Sequence, residues 1–185
     1  MSYTELETIN YIISQTGAAP VDNLTDFLPD ITSATLRLNE AIVSIVKRGY
    51  WYNTEYNVTI DADVDGKFPL PTDTIKIVRA SPCFLIERNG FAYSPHYNTD
   101  VFTDITSSIC ITYVFKPAYT SLPYSAQDVV RIAAAKAHIL LELEDVRKAT
   151  ELDEELRYHM GEMKKDDVQI KRHNALYRPQ HLRVT

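Results

Sequence analysis

The hydrophobic period of the chain changes twice, and this change most constrains the fold. Up to Gly49, apolar residues recur every three or four positions, as in helices that bury one face. From Tyr50 to Phe115 apolar and polar residues alternate, as in half-buried strands, and helical spacing then returns. The order α-α, β, α-α predicts an α+β fold. We expect a bundle of four helices with an inserted antiparallel β lobe.

The same changes give the expected domain boundaries. Residues 1–49 and 120–172 are predicted to form the helical domain, and residues 50–119 the inserted β domain. The helical pattern then dissolves into "HNALYRPQHLRVT", so residues 173–185 are predicted to be an extended C-terminal tail. With 185 residues, the chain is long enough for one good core, or for a helical body with a smaller β lobe.

Local signals predict where elements begin and turn. Three capping-box patterns mark expected helix starts: Ser2 with Glu5, Ser125 with Asp128, and Thr150 with Asp153. Asp30 or Thr32 is expected to cap the second helix. Asp65–Gly66 and Asn89–Gly90 each predict a β-hairpin, because these pairs favour the positive φ angles of tight turns. The segment "HYNTDVFTDITSS" is predicted to be an exposed loop.

Candidate catalytic and metal-binding patterns are weak. Asp61, Asp63 and Asp65 imitate the start of a calcium loop, but its twelfth position is Thr72 where calcium needs a bidentate Glu. Cys110 and His96 could belong to a cysteine hydrolase, yet no nucleophile elbow or glycine-rich phosphate loop is present. We therefore assign no catalytic, cofactor or metal residue and expect no enzymatic activity.

The two cysteines and the apolar runs bear on the compartment. Cys83 and Cys110 are expected to be free core thiols, unless their strands prove adjacent and allow a disulfide. No apolar run reaches membrane-spanning length, and "MSYTELETIN" lacks the features of a signal peptide. Membrane insertion and export are not expected.

Charge is distributed unevenly along the chain. Residues 1–163 carry 13 basic and 23 acidic side chains, a balance of −10. Residues 164–185 carry six basic and two acidic side chains, a balance of +4. An acidic body disfavours tight binding along a nucleic-acid backbone, which requires several phosphates to be neutralised. The basic end could contact nucleic acid or an acidic patch on a protein.

Aromatic residues are more numerous in the β segment than a small lobe can bury. Seven of the 12 tyrosines lie within residues 50–119, and Tyr50, Trp51 and Tyr52 are consecutive. Tyrosine offers a large rigid contact area with a polar tip, which protein interfaces favour. Ordinary strand packing remains the alternative for each residue singly.

The ordered segments resemble one known family, the tail tubular protein A family of head-to-tail adaptors, or gatekeepers, in short-tailed bacteriophages (podoviruses). The resemblance rests on "INYIISQTGAAPVDNL", "RLNEAIVSIVKRGYWYNTE", "DGKFPLP", "ERNGFAY" and "SLPYSAQDVVRIAAAKA", which follow one another in the family's order. It spans nearly the whole chain. It implies a structural virion protein of the tail, assembled in the host cytoplasm.

The resemblance further implies the partners. Such adaptors form a twelvefold ring of copies of themselves, below the portal protein and above a tail nozzle protein of the tail tubular protein B type. Double-stranded DNA passes through the ring during ejection, and an acidic wall would let it move without being held. The alternative is a nucleic-acid-binding module that acts through its basic C-terminal tail.

Two groups of interface candidates follow from the resemblance and the aromatic excess. The portal-interface candidates lie at the C-terminal end: Lys171, Arg172, His173, Leu176, Tyr177, Arg178 and Arg183. The candidates for contact with a neighbouring subunit or the nozzle lie in the β segment: Tyr50, Trp51, Tyr52, Arg88, Asn89, Phe91, Tyr93, Tyr97 and Phe102.

Overall fold

The computed structural model describes residues 2–25, 28–102 and 107–176, with side chains described as far as Arg172. The chain divides into two compact units. The helical unit comprises Met1–Ile45 and Ala118–Thr185, and the β unit comprises Val46–Pro117.

The described residues form four α-helices and five β-strands. The helices are α1 (Glu5–Ser14), α2 (Pro29–Val46), α3 (Tyr124–Glu142) and α4 (Val146–Leu176). The strands are β1 (Thr54–Asp61), β2 (Thr74–Ser81), β3 (Ile86–Arg88), β4 (Phe91–Tyr93) and β5 (Ser108–Phe115). The expected α+β class, with four helices and a small antiparallel sheet, is confirmed.

The core of the helical unit is built on α3, which packs against α1 and α4. On α3 the residues Val129, Ile132 and Ile139 are fully buried. On α2 the apolar stripe Leu38, Ala41, Ile42 and Ile45, whose spacing of three or four residues predicts one buried helix face, is buried. A polar cluster joins the chain start to α3: Gln127 accepts a hydrogen bond from the Tyr3 backbone N–H at 2.8 Å.

The helix starts differ from the capping boxes expected. The box of α1 is formed by Thr4 and Glu7: the Thr4 hydroxyl accepts from Glu7 N–H, and the Glu7 carboxylate accepts from Thr4 N–H. Ser2 with Glu5 was therefore the wrong pair. At α2 the first residue is Pro29, whose fixed φ suits a first helical position.

The two later helices also start before the expected residues. α3 begins at Tyr124 without a side-chain cap, and Asp128 instead forms an ion pair with Arg131 at 2.8 Å. α4 begins at Val146, and Thr150 lies inside it, where its hydroxyl donates to the Val146 carbonyl. Helix α4 continues to Leu176. The expectation of an extended tail from residue 173 is therefore wrong for residues 173–176, and residues 177–185 lie outside the described residues.

The β unit contains a three-stranded antiparallel sheet in the order β1-β5-β2 and a separate β3–β4 hairpin. One sheet face packs against the hairpin region, and its core consists of Phe68, Leu70, Leu85, Ala92, Phe102, Ile109, Ile111 and Tyr113. The central strand β5 supplies Ile109, Ile111 and Tyr113 on this face, and Thr112 and Val114 on its opposite face are buried as well.

The hairpin expected at Asp65–Gly66 is absent. The following segment contributes a single bridge, Pro69 to Phe91, because the proline has no N–H with which to continue a ladder. The acidic loop before it is a local turn in which one Asp63 carboxylate oxygen accepts from the N–H groups of Asp65 and Lys67. These hydrogen bonds account for Asp63 without a calcium ion.

The cysteines lie in neighbouring parts of the β unit. Cys110 is on β5 and pairs in register with Ser81 at the end of β2, two residues before Cys83. Both thiols are free and half-buried. Burial raises the pKa of the Cys83 thiol.

Candidate interaction surfaces

The β3–β4 hairpin presents one face away from the core. Its turn consists of Asn89 and Gly90, both with positive φ, as the sequence predicts. Arg88 pairs with Phe91, and Ile86 pairs with Tyr93. Because cross-strand partners share a face, these four side chains lie together, while Ala92 on the opposite face is fully buried.

Backbone hydrogen bonds hold this hairpin on the β unit. Leu70 N–H donates to the Gly90 carbonyl at 2.8 Å, and Ala92 N–H donates to the Phe68 carbonyl at 3.0 Å. Under the hairpin, the Phe68 ring packs against the Phe102 ring with centroids 5.2 Å apart. The hairpin is therefore a fixed platform, since its turn and one strand are bonded to core segments.

A cavity of about 340 Å³ opens beside the hairpin. Its lining residues are Lys67, Arg88, Asn89, Phe91, Tyr93 and Asp100. The Arg88 guanidinium lies over the Tyr93 ring, 4.6 Å from its centroid, and the Lys67 ammonium lies 5.5 Å from the centroid of Phe91. Two cations are thus held over two aromatic walls.

The charged side chains of the cavity differ in whether they have an ion-pair partner. Lys67 donates to Asp100 at 2.9 Å; this hydrogen bond raises the pKa of Lys67 and lowers the pKa of Asp100. Arg88 adds a weaker charge effect at Asp100 but forms no ion pair with any described residue. Arg88 is therefore the surplus cation of the lining.

The consecutive aromatics form a second feature, at the start of the β unit. Tyr50 is buried, whereas Trp51 and Tyr52 are half-buried. The Tyr50 and Tyr52 rings are stacked with centroids 5.6 Å apart, and Trp51 meets Tyr52 edge-on. Asn53, fully buried, fixes the backbone of this segment. The cluster offers only the two half-buried rings to a partner.

The third feature is the length of α4. The Lys136–Asp153 ion pair, and the 3.9 Å distance between His159 Nδ1 and an Asp128 carboxylate oxygen, show that α3 and α4 run antiparallel. In this register the first residue of α3 lies opposite a residue near Met163. At 1.5 Å per residue, the remainder of α4 extends about 18 Å beyond α3. No described side chain from Lys164 to Arg172 is buried.

Comparison with protein families shows which family the chain belongs to. The family model for tail tubular proteins matches residues 6–177, which cover all of the β unit and most of the helical unit. The chain belongs to the tail tubular protein family. It is therefore a structural component of a phage tail and of the virion. No curated protein sequence matches it.

The predicted site residues of this tail tubular protein fall into separate places. Arg88, Asn89, Phe91 and Tyr93 come together around the hairpin cavity. Tyr97 is exposed in the loop that follows, where Tyr93 donates to Asn98 at 2.5 Å.

Phe102 corrects one prediction. It was expected at an interface but is 1% exposed, in contact with Phe68. Its N–H donates to the Gly66 carbonyl at 2.8 Å, which carries the loop into the core.

The portal candidates lie at the end of α4 or beyond it. Lys171 is half-buried and paired with Asp167 at 2.8 Å, whereas Arg172 is exposed. His173 and Leu176 are helical, with side chains outside the description. Tyr177, Arg178 and Arg183 lie outside the described residues.

Sequence reasoning missed three residues of these surfaces. Lys67 and Asp100 complete the cavity, and their pairing across the chain has no local signal. Asn53 follows the three consecutive aromatic residues. Its position between them and the predicted strand is the only sequence feature that could have indicated its role. In the described residues no helix is long and apolar enough to cross a membrane, and no three metal-binding side chains cluster.

Proposed function

We propose that this tail tubular protein forms the adaptor ring between the portal and the tail nozzle. Twelve copies surround a channel through which genomic double-stranded DNA passes during ejection, and the ring assembles in the host cytoplasm. The end of α4 and the residues after it contact the portal, while the hairpin surface contacts the nozzle or a neighbouring copy.

The observation that carries this proposal is the extension of α4 beyond α3. Past the first residue of α3, α4 has no buried side chain among the described residues 164–172, so the stability of this segment improves when a partner covers it. The extension is also locally balanced: Lys165 pairs with Glu162, and Lys171 pairs with Asp167. Of the cations described in this segment, Lys164 and Arg172 are left to bind a partner protein.

The charge balance favours a protein partner over DNA at this end. Binding along duplex DNA requires many unpaired cations, each of which neutralises a phosphate. Two of the four cations described in this segment are engaged in ion pairs within the helix. The acidic balance of the rest of the chain likewise suits a channel wall that repels phosphate.

Mass measurement of the full chain tests the ring. Native mass spectrometry is performed on the chain alone and with the purified portal protein of the same phage. We expect twelve copies bound per portal. A chain that neither associates with itself nor binds the portal would overturn the proposal.

A truncation after Leu176 separates the adaptor from the nucleic-acid-binding alternative. It leaves α4 intact and removes residues 177–185 with Arg178 and Arg183. We expect portal binding to fall at least about tenfold, as for the loss of charged interface contacts, while affinity for duplex DNA is unchanged. A full-length variant with both arginines replaced by alanine is the matched control for chain length. Loss of DNA affinity with intact portal binding would favour the alternative.

A further inference from the structure

We propose that the hairpin cavity of one copy receives the α3–α4 turn of a second copy, with Glu144 of that turn bound to Arg88. This inference rests on the proposed ring and names its subunit contact. Both surfaces are uncovered in the described chain, and their chemistry is complementary.

The α3–α4 turn, residues 140–146, is an exposed apolar corner. The exposed fractions of its large apolar side chains are 41% for Leu140, 54% for Leu141, 50% for Leu143 and 68% for Val146. Four exposed large apolar side chains within seven residues are a concentration that favours a protein interface. The corner is also rigid, because α3 and α4 pack against each other on either side of it.

The turn carries one carboxylate with no bond to the described residues. Glu142 accepts from the Ser33 hydroxyl at 2.8 Å, and Asp145 accepts from the Lys148 N–H at 3.0 Å. Glu144 has a φ of 51° and is exposed, and its carboxylate has no hydrogen bond or ion pair among the described residues. Glu144 is thus the acidic group that the turn offers to a partner.

The cavity offers the matching group. Arg88 is held over Tyr93, and Asp100 is already bound to Lys67. A guanidinium held in this way can donate two parallel N–H bonds to one carboxylate. The Phe91 and Tyr93 rings give the cavity apolar walls, and its volume of about 340 Å³ suits one or two side chains such as Glu144 and Leu143.

The contact joins two different surfaces, one from each unit. A contact of this kind is heterologous: each copy uses its turn towards one neighbour and its cavity towards the other. Repetition closes into a ring when the rotation between copies permits it. In a two-fold dimer the two copies would exchange turn and cavity with each other; in the proposed ring each copy uses them towards two different neighbours.

Charge reversal gives the test. The single variants Arg88→Glu and Glu144→Arg each place like charges in every contact, and we expect each to weaken self-association at least about tenfold. The double variant restores opposite charges and should assemble alone. A 1:1 mixture of the two single variants should also assemble, because alternation of the copies restores opposite charges at every contact.

The assay is native mass spectrometry of full-length chains, with and without the portal protein. Arg79→Glu and Glu154→Arg are the matched controls, because both residues are exposed and neither forms an ion pair among the described residues. Thermal unfolding of each variant checks that it is folded. Wild-type behaviour of the controls, with loss in both single variants and recovery in the mixture, would support the contact.

Other results would overturn it. If the single variants assemble like the wild type, the contact is wrong while the ring remains. If Arg88→Glu loses only binding to the nozzle protein, the occupant of the cavity is the nozzle and not a second copy. If the wild-type chain itself never assembles, even with the portal, the proposed function fails together with this contact.

Discussion

The side-chain amide of Asn53 donates to the carbonyl oxygen of Phe115 at 2.9 Å, although the two residues are 62 positions apart. The same amide donates to the Val46 carbonyl at 2.9 Å, and its oxygen accepts from the Tyr50 N–H at 2.8 Å. Asn53 therefore satisfies three backbone groups at the point where the helix ends and the sheet begins. The rings at Tyr50–Tyr52 are held by this residue.

Replacement of Asn53 by alanine is expected to lower the free energy of unfolding by about 3 kcal/mol, because buried carbonyls would lose their donor. Asn53→Asp should cost at least as much, since a carboxylate cannot donate to either carbonyl. Urea denaturation measures the change. Thr72→Ala, at an exposed position, is the control. A cost for Asn53→Ala below about 1 kcal/mol would contradict this role.

Gly49 is required for two separate reasons. Its φ is +82°, and a Cβ atom there would lie 2.8 Å from Val114 Cγ2. Gly17 has a similar φ of +85° but open space around it. Gly17→Ala should therefore cost only the backbone term of about 1 kcal/mol, and Gly49→Ala should cost clearly more. Equal shifts in the urea midpoint would show that Val114 moves aside freely.

Phe102 and Tyr97 were both expected at an interface, and the structure separates them. Phe102→Ala should lower the free energy of unfolding by about 3 to 5 kcal/mol, as for a buried aromatic. Tyr97→Ala should change it by less than about 0.5 kcal/mol, because the ring is 53% exposed. Chemical denaturation of both variants decides the matter: similar values would mean that Phe102 is not part of the core.

Local chemistry explains which parts of the fold the sequence predicts. The Asn89–Gly90 turn and the α2 stripe depend on neighbouring residues only, and both are present. Helix starts are less certain from sequence, because Thr4 and Ser2 offer the same hydroxyl two positions apart. The Asp65–Gly66 pair did not produce a hairpin, because Pro69, four residues after Asp65, has no N–H to donate to a strand partner.

Only the part of the cavity formed by the hairpin could be predicted from the sequence. Arg88 to Tyr93 form a hairpin, so their closeness follows from the turn. Lys67 joins them only because the chain folds back, and its partner Asp100 lies 33 residues away. The prediction of Phe102 at an interface failed for the same reason: nothing in a polar loop sequence indicates that one of its aromatic rings is buried in the core.

His138 gives a pH-dependent prediction. It is fully buried in α3, with Nδ1 3.4 Å from the Ser33 hydroxyl, and Nε2 has no partner in the described part of the chain. Burial lowers the pKa of His138; the charges of Glu142 and Asp30 oppose this effect, and that of Arg37 adds to it. Below its ordinary pKa of about 6.5, the unfolded chain therefore binds a proton that the folded chain does not.

The free energy of unfolding should accordingly fall as the pH drops below about 6.5, by at most about 1.4 kcal/mol per pH unit for this one proton. Above that pH the contribution of His138 is constant. Urea denaturation between pH 7.5 and about 5 measures the slope. His138→Gln should make the slope shallower, whereas His96→Gln, at an exposed position, should leave it unchanged. An identical slope in wild type and His138→Gln would mean that His138 takes up its proton equally in both states, and that its burial does not oppose the charge.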